Sequence, residues 1–267
     1  IWSDLFFVII VPLLPLIQSD PDLLLSYTEA GLFKSVYAAS AAVLQIPAGY
    51  LSTTFGEFWM LLFGNVWVGI GLIGMAFTSG YFLLLLLALV AGFGGGTQHP
   101  LATSLVSKAY DSDGRSTAVG SVNFAGDIGK LTAPLLSLLL AARFGWRGTL
   151  RIIGILGLGN MVVLAIMRPW IKIGDHVQNE LQGVNLDKLK KVDLASFGTI
   201  GSIGFIDSSI RSAALAFLPF ILKDKGLVDN HIFIMLTFLL AGGASGKLLC
   251  GWLDDRYGSI LLICTTK

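Results

Sequence analysis

The sequence predicts an all-α integral membrane protein, and three observations predict it. Only 13% of the 267 residues are charged while 54% are hydrophobic, where a soluble domain carries about 25% charged residues. The charges gather in short clusters between apolar runs that are near the ~20 residues a bilayer-crossing helix needs. An eight-residue pattern also recurs: GYLSTTFG at 49–56 and GWLDDRYG at 251–258 both read G-x-L-x-x-x-[FY]-G and follow equivalent apolar runs. A parallel repeat of that kind, six spans and a connector apart, is how two-bundle transporters are built.

The spans follow in order. Span one is 1–18, with Asp4 inside it and Pro12 and Pro15 bending its far end. After an acidic loop, Ser26 and Glu29 form a capping box that opens span two at 27–50. That span carries Lys34, Tyr37 and Gln45. A very short loop, 51–57, leads to span three at 58–77. Ser79-Gly80 turns into span four at 81–106, which contains GFGGGTQHP. Span five is 116–141, RFGWR follows, and span six is 148–167. The only long polar segment, 168–193, carries five Lys or Arg and four acids and reads as a solvated connector. Spans seven (194–222) and eight (230–250) come next, and the last residues begin a ninth.

Three domains result: a six-helix bundle at 1–167, the connector at 168–193 and a partial second bundle at 194–267. The chain opens and closes inside apolar runs and has no initiator Met, so it is expected to be a truncated piece without a signal peptide. Loop Lys and Arg number eight on the side after spans two, four, six and eight, and five on the other. That side and the N-terminus are therefore expected to be cytoplasmic.

Composition also excludes function classes. A net charge of +1 without a basic block argues against nucleic-acid binding. Cys250 and Cys264 sit in apolar surroundings with no metal spacing, and His99 is a lone His, so no metal or cofactor is expected. The glycines at 92 and 94–96 follow no strand and precede no Gly-Lys-Ser/Thr; they let helices approach closely rather than cradle phosphate. No nucleophile has a positioned base, so an enzyme is not expected.

One helix demands an explanation. At about 100° per residue, Ser116, Gly120, Asn123, Asp127, Lys130 and Pro134 share one face of span five. A charge at mid-membrane costs at least ~2.5–3.5 kcal/mol, so this stripe must face protein or water. Asp127 and Lys130 are i,i+3 and close enough to pair. They form either a titrating carboxylate with a cation that holds substrate, or a self-neutralised packing pair. Asp207 and Arg211 are i,i+4 in span seven. Asp4 is either a second protonatable group or an interfacial residue, and His99 either a proton relay or a kink histidine bonded to a carbonyl. Lys34 and Gln45 share a face, with Gln45 lining a cavity and Lys34 either beside it or snorkelling to the surface.

GWLDDRYG resembles the signature loop of the major facilitator superfamily, G-x-L-a-D-r-x-G. PLLP, AGLFKSV, LQIPAG, the small-residue run ending His99-Pro100, Gly126/Gly129/Pro134 and RSAALAFLP together resemble its fosmidomycin-resistance-like efflux branch. The first signature copy departs from the pattern with Thr53 and Thr54. Asp127 and Lys130 stand where the branch usually has neutral residues.

The resemblance implies a two-bundle carrier and proton-coupled efflux by antiport of a small organic, possibly anionic, solute. It assigns the inner gate to Gly49, Gly56, Gly251, Asp255, Arg256 and Gly258, and a basic binding residue to Arg211. Substrate contacts are then expected from Gln45, Asn123, Lys130, Arg211 and Lys34, and proton coupling from Asp127, Asp207, Asp4 and His99. The expected partners are a small solute, protons and the lipid bilayer. The expected setting is the plasma (inner) membrane, as a monomer. The alternatives are an anion-uptake carrier of the same superfamily and a non-transporting sensor or degenerate paralogue.

Overall fold

A computed structural model describes residues 1–109, 115–170 and 194–257. Every element among them is helical: α1 (Trp2–Val8), α2 (Ile10–Gln18), α3 (Tyr27–Phe55), α4 (Glu57–Met75), α5 (Tyr81–Gly95), α6 (Gln98–Ala109), α7 (Arg115–Met167), α8 (Leu194–Asp224) and α9 (Asp229–Tyr257). Among the described residues, Glu57–Met75, Tyr81–Val106 and Gly120–Met167 are long and apolar enough to cross a membrane, and Trp2–Gln18 is a shorter apolar stretch. Of the expected connector only Arg168–Trp170 is described, as a 3-10 turn; 171–193 lies outside the described residues.

Two breaks come just before prolines, while Pro15, Pro47, Pro134 and Pro219 lie inside continuous helix. Pro12 cannot bond back to the Val8 carbonyl, and the first span is interrupted at Ile9, one turn before the proline rather than at its far end. Ile9 stays in the helical region (φ −56°, ψ −28°), so the break is a shallow one. Pro100 likewise spoils the bond to Gly96, and the fourth span divides at Gly96–Thr97 into α5 and α6. The capping box forms as expected: Glu29 N–H donates to Ser26 Oγ at 3.2 Å, and Ser26 N–H donates to the Glu29 carboxylate at 2.8 Å.

Two expected loops are helix. Residues 51–55 continue α3, because the Ser52 and Thr53 hydroxyls donate to the carbonyls of Gly49 and Tyr50, 2.7 Å each, and need no outside partner. The turn is confined to Gly56, at φ 81°, a conformation that suits glycine. The second copy of the repeat is also wound, since α9 runs through Tyr257. In the same way the fifth and sixth spans meet without a loop: α7 is broken only at Gly145 (φ 64°, ψ −178°).

Close approach depends on the glycine run, as expected. A Cβ on Gly94 would stand 2.6 Å from the Gly64 carbonyl of α4, and one on Gly92 or Gly96 would collide with the α3 backbone carbonyls of Tyr37 or Ala41. The core is built around α1 and α2. Phe6, Ile9, Leu13 and Ile17 are fully covered by Phe33 and Tyr37 of α3, Leu72 and Met75 of α4, Leu84 of α5 and Leu150 of α7. The α8 and α9 helices pack against α2, α3 and α7.

The bundle has two distinct ends. At one, Arg147 reaches Asp20 (Nη2–Oδ1 2.9 Å), Asp22 (3.2 Å) and the Thr78 carbonyl (2.5 Å), while Trp146 Nε1 donates to Asp20 Oδ2 at 2.7 Å. At this end the Tyr27 hydroxyl also donates to Asp224 at 2.9 Å, joining α3 to the end of α8. At the other end lie Gly56, the Glu57–Ser104 hydrogen bond at 2.5 Å and the stacking of Arg168 over Phe58. There Tyr50 and Phe55 are exposed.

Candidate functional site

The polar stripe of α7 meets α1 inside the apolar bundle. The crossing is possible because the facing α7 residues are glycines. A Cβ on Gly126 would stand 2.5 Å from Asp4 Oδ2, and one on Gly129 would collide with the Ile1 carbonyl. With both absent, Asp4 enters the stripe and Lys130 bridges two carboxylates. Its Nζ lies 3.0 Å from Asp4 Oδ1 and 3.0 Å from Asp127 Oδ1. Asp4 and Asp127 are 8% and 5% exposed, which makes this a largely desolvated triad. His99 of α6 stands at its edge, Nε2 3.9 Å from Asp4 Oδ1, with a well-exposed ring.

The triad opens into a cavity of roughly 260 Å³ whose lining includes Ser3, Asp4, Gln98, His99, Asn123, Asp127 and Lys130. Two carboxylates facing one ammonium leave a unit of negative charge when His99 is neutral.

Of the residues expected at the site, the structure therefore brings Asp4, His99, Asn123, Asp127 and Lys130 together. It places three others elsewhere. Gln45 is exposed on α3 and does not line this cavity. Arg211 is exposed on α8. Lys34 is half-buried and does not line the cavity: its Nζ lies 4.4 Å from the Phe7 ring centre and 5.7 Å from that of Tyr37. The side chains of Asp207, Gly251, Asp255 and Arg256, and all of Gly258, lie outside the described residues. Gly49 and Gly56 flank the last turn of α3 at the Gly56 end.

Three residues at the site had no sequence signal. Ser3 Oγ donates to Gln98 Oε1 at 2.6 Å, and Asn65 Nδ2 donates to the same oxygen at 3.0 Å and to the Leu61 carbonyl at 2.9 Å. This neutral network ties α1, α4 and α6 together one residue from Asp4 and His99. The Asp20–Arg147 clamp was equally silent. Burial pushes the Asp20 carboxyl up, but hydrogen bonds from Trp146 and Arg147 and the guanidinium charge outweigh it, holding Asp20 below its usual value. Among the described residues no group of three His, Cys, Asp or Glu has a geometry that could hold a metal ion.

Comparison with known proteins gives one family and several relatives. The family described as Major Facilitator Superfamily matches residues 2–266. The chain is 30% identical to Monocarboxylate transporter 11 of Homo sapiens, over 83% of this chain and 48% of that protein. It is 28% identical to the Probable sulfoacetate transporter SauU of Cupriavidus necator, over 91% of this chain and 59% of that one. It is 27% identical to the Multi-drug resistance efflux pump PmrA of Streptococcus pneumoniae, over 89% and 60%. In fold it is similar to a crystal structure of a D-xylose-proton symporter, with a TM-score of 0.71, 18% identity, and coverage of 96% of this chain and 67% of that one. The chain thus spans about half the length of the curated relatives it matches.

Proposed function

This chain belongs to the major facilitator superfamily, and from that premise we propose that it is part of a proton-coupled exporter of a small organic solute, working by alternating access and catalysing no chemical step. One observation carries the reading: Lys130 bridging Asp4 and Asp127 beside a polar cavity within the apolar bundle. A proton arriving at Asp4 removes the charge that ties α1 to α7, while one arriving at Asp127 leaves Lys130 to Asp4 alone, so the protonation state of the pair sets how firmly the two helices are held. Loading the site and loosening a helix crossing are then one event. Such coupling needs a cluster that is nearly balanced, so that one proton decides its state. Asn123 and His99, on the cavity lining, are the contacts we assign to the solute and to proton delivery.

The similarity to an efflux pump supports outward transport. A second reading is uptake of an organic anion, which the similarities to transporters named for monocarboxylates and sulfoacetate favour. In either case we place the protein in the plasma membrane as a monomer with Ile1 toward the cytoplasm, as the loop charges suggest.

The test is flux through the full-length protein in liposomes, with and without an imposed pH gradient. Solute movement that follows the gradient in the wild type and is lost in Asp127→Asn is the expected result. Gradient-driven flux that survives the substitution would remove Asp127 from the coupling.

A further inference from the structure

Lys34 on α3 and Lys130 on α7 are partnered very differently. Lys130 has two carboxylates at 3.0 Å, so its charge is already answered. Among the described residues no carboxylate lies within ion-pair distance of Lys34, whose ammonium stands over the rings of Phe7 and Tyr37. Ring faces attract a cation but carry no net charge, so Lys34 remains an uncompensated positive charge in an apolar setting.

Its position is as informative as its lack of an acid. Phe7 lies three residues beyond Asp4 on α1, about 4.5 Å along the axis at 1.5 Å per residue. Gly31 lies three residues before Lys34 on α3 and faces Phe217 of α8, where a Cβ would stand 2.9 Å from the ring. Lys34 therefore sits between the α3–α8 contact, which joins the two parts of the chain, and the Asp4–Lys130–Asp127 triad.

We propose that Lys34 holds the anionic group of the cargo, a carboxylate or sulfonate, while Lys130 serves the proton site and binds no anion directly. The proposal rests on the transport reading above, and it makes the solute an organic anion. Phe7 and Tyr37 then act as a sheath that shields the ammonium until an anion arrives.

The test uses the full-length transporter in nanodiscs, with L-lactate and sulfoacetate as probe anions and tetraphenylphosphonium as probe cation. At least one anion is expected to bind. Lys34→Gln should weaken that binding tenfold or more, and Lys34→Arg should restore it to within about threefold. Lys225→Gln, on the loop before α9, should leave it unchanged. In the wild type, the bound anion should slow acetylation of Lys34 by acetic anhydride, read by mass spectrometry, while the cation should not. The acetylation measurement decides the matter even if Lys34→Gln fails to fold. Anion affinity unchanged in Lys34→Gln, acetylation indifferent to the anion, or binding of the cation alone overturns the proposal. Gradient-driven flux that persists through those outcomes leaves the transport reading standing; a wild type without gradient-driven flux removes the transport reading instead.

Discussion

Lys130 Nζ lies 3.0 Å from Asp4 Oδ1, an ion pair between residues 126 positions apart that fastens α7 to α1. The same ammonium stands 3.0 Å from Asp127, so it carries two bonds whose loss is unequal. Lys130→Met leaves two desolvated carboxylates facing each other without a cation. Breaking a buried pair by deleting one partner costs about 3–5 kcal/mol. Asp127→Asn keeps the Asp4–Lys130 pair and can still accept a hydrogen bond, so it should cost clearly less. Thermal unfolding of the two variants in one detergent checks the order; a Lys130→Met protein as stable as Asp127→Asn would mean that the ammonium does not bridge.

That bridge exists because α7 can touch α1. Gly126→Ala sets a methyl against the movable Asp4 carboxylate, whereas Gly129→Ala sets one against the Ile1 backbone. Backbone cannot swing aside, and inserting atoms into a packed contact costs about 1–3 kcal/mol. Gly129→Ala should therefore lower the melting temperature more than Gly126→Ala. Gly126→Ala should act mainly on the site, changing the pH dependence of flux by moving Asp4.

How much of this could be read from residues alone divides along a physical line. Span length and the span-five stripe are properties of one helix, carried by hydrophobicity and by the 100° period, and Asp127 beside Lys130 follows from i,i+3 spacing. The entry of Asp4 into that stripe depends on which helix crosses at Gly126 and Gly129, and no local period contains it. Ser3, Asn65 and Gln98 are the same case, a network across separations of 62 and 95 residues. The misjudged loops have a different cause. Residues 51–55 are polar enough to read as loop, but their hydroxyls bond back to the preceding turn and let the helix continue to Gly56.

At the Asp20 end, pH should act through one carboxylate. The folded-state pKa of Asp20 is depressed, so its contribution to stability is present above the unfolded value of about 3.9 and is lost as the pH falls through the folded value. The wild type should therefore lose stability below about pH 4, while Asp20→Asn should be less stable at neutral pH and should show a smaller loss on acidification. Parallel curves for the two proteins in denaturant titrations between pH 3 and 6 would remove Asp20 as the source. Arg147→Lys, which gives up the forked contact to Asp20 and Thr78, should behave at neutral pH much like Asp20→Asn.

The last expectation concerns motion between the two parts of the chain. Their contact at the Asp20 end is held by Tyr27 on Asp224, by the edge of Tyr27 against Phe220 at 5.2 Å, and by Phe217 over Gly31. The alternating access proposed above requires this contact to open in each cycle. A side chain at Gly31 should push Phe217 away and favour the opened form, so Gly31→Leu should raise the reactivity of a thiol placed at Phe220 toward a water-soluble maleimide. Conversely, Tyr27→Cys combined with Asp224→Cys, with Cys250 and Cys264 replaced by Ala, should stop flux when bridged by a short thiol cross-linker and recover it on reduction. The bridge acts on the contact alone, because neither residue lines the triad cavity. Full flux through the bridged protein would mean that the parts do not separate here, and the path would have to open elsewhere.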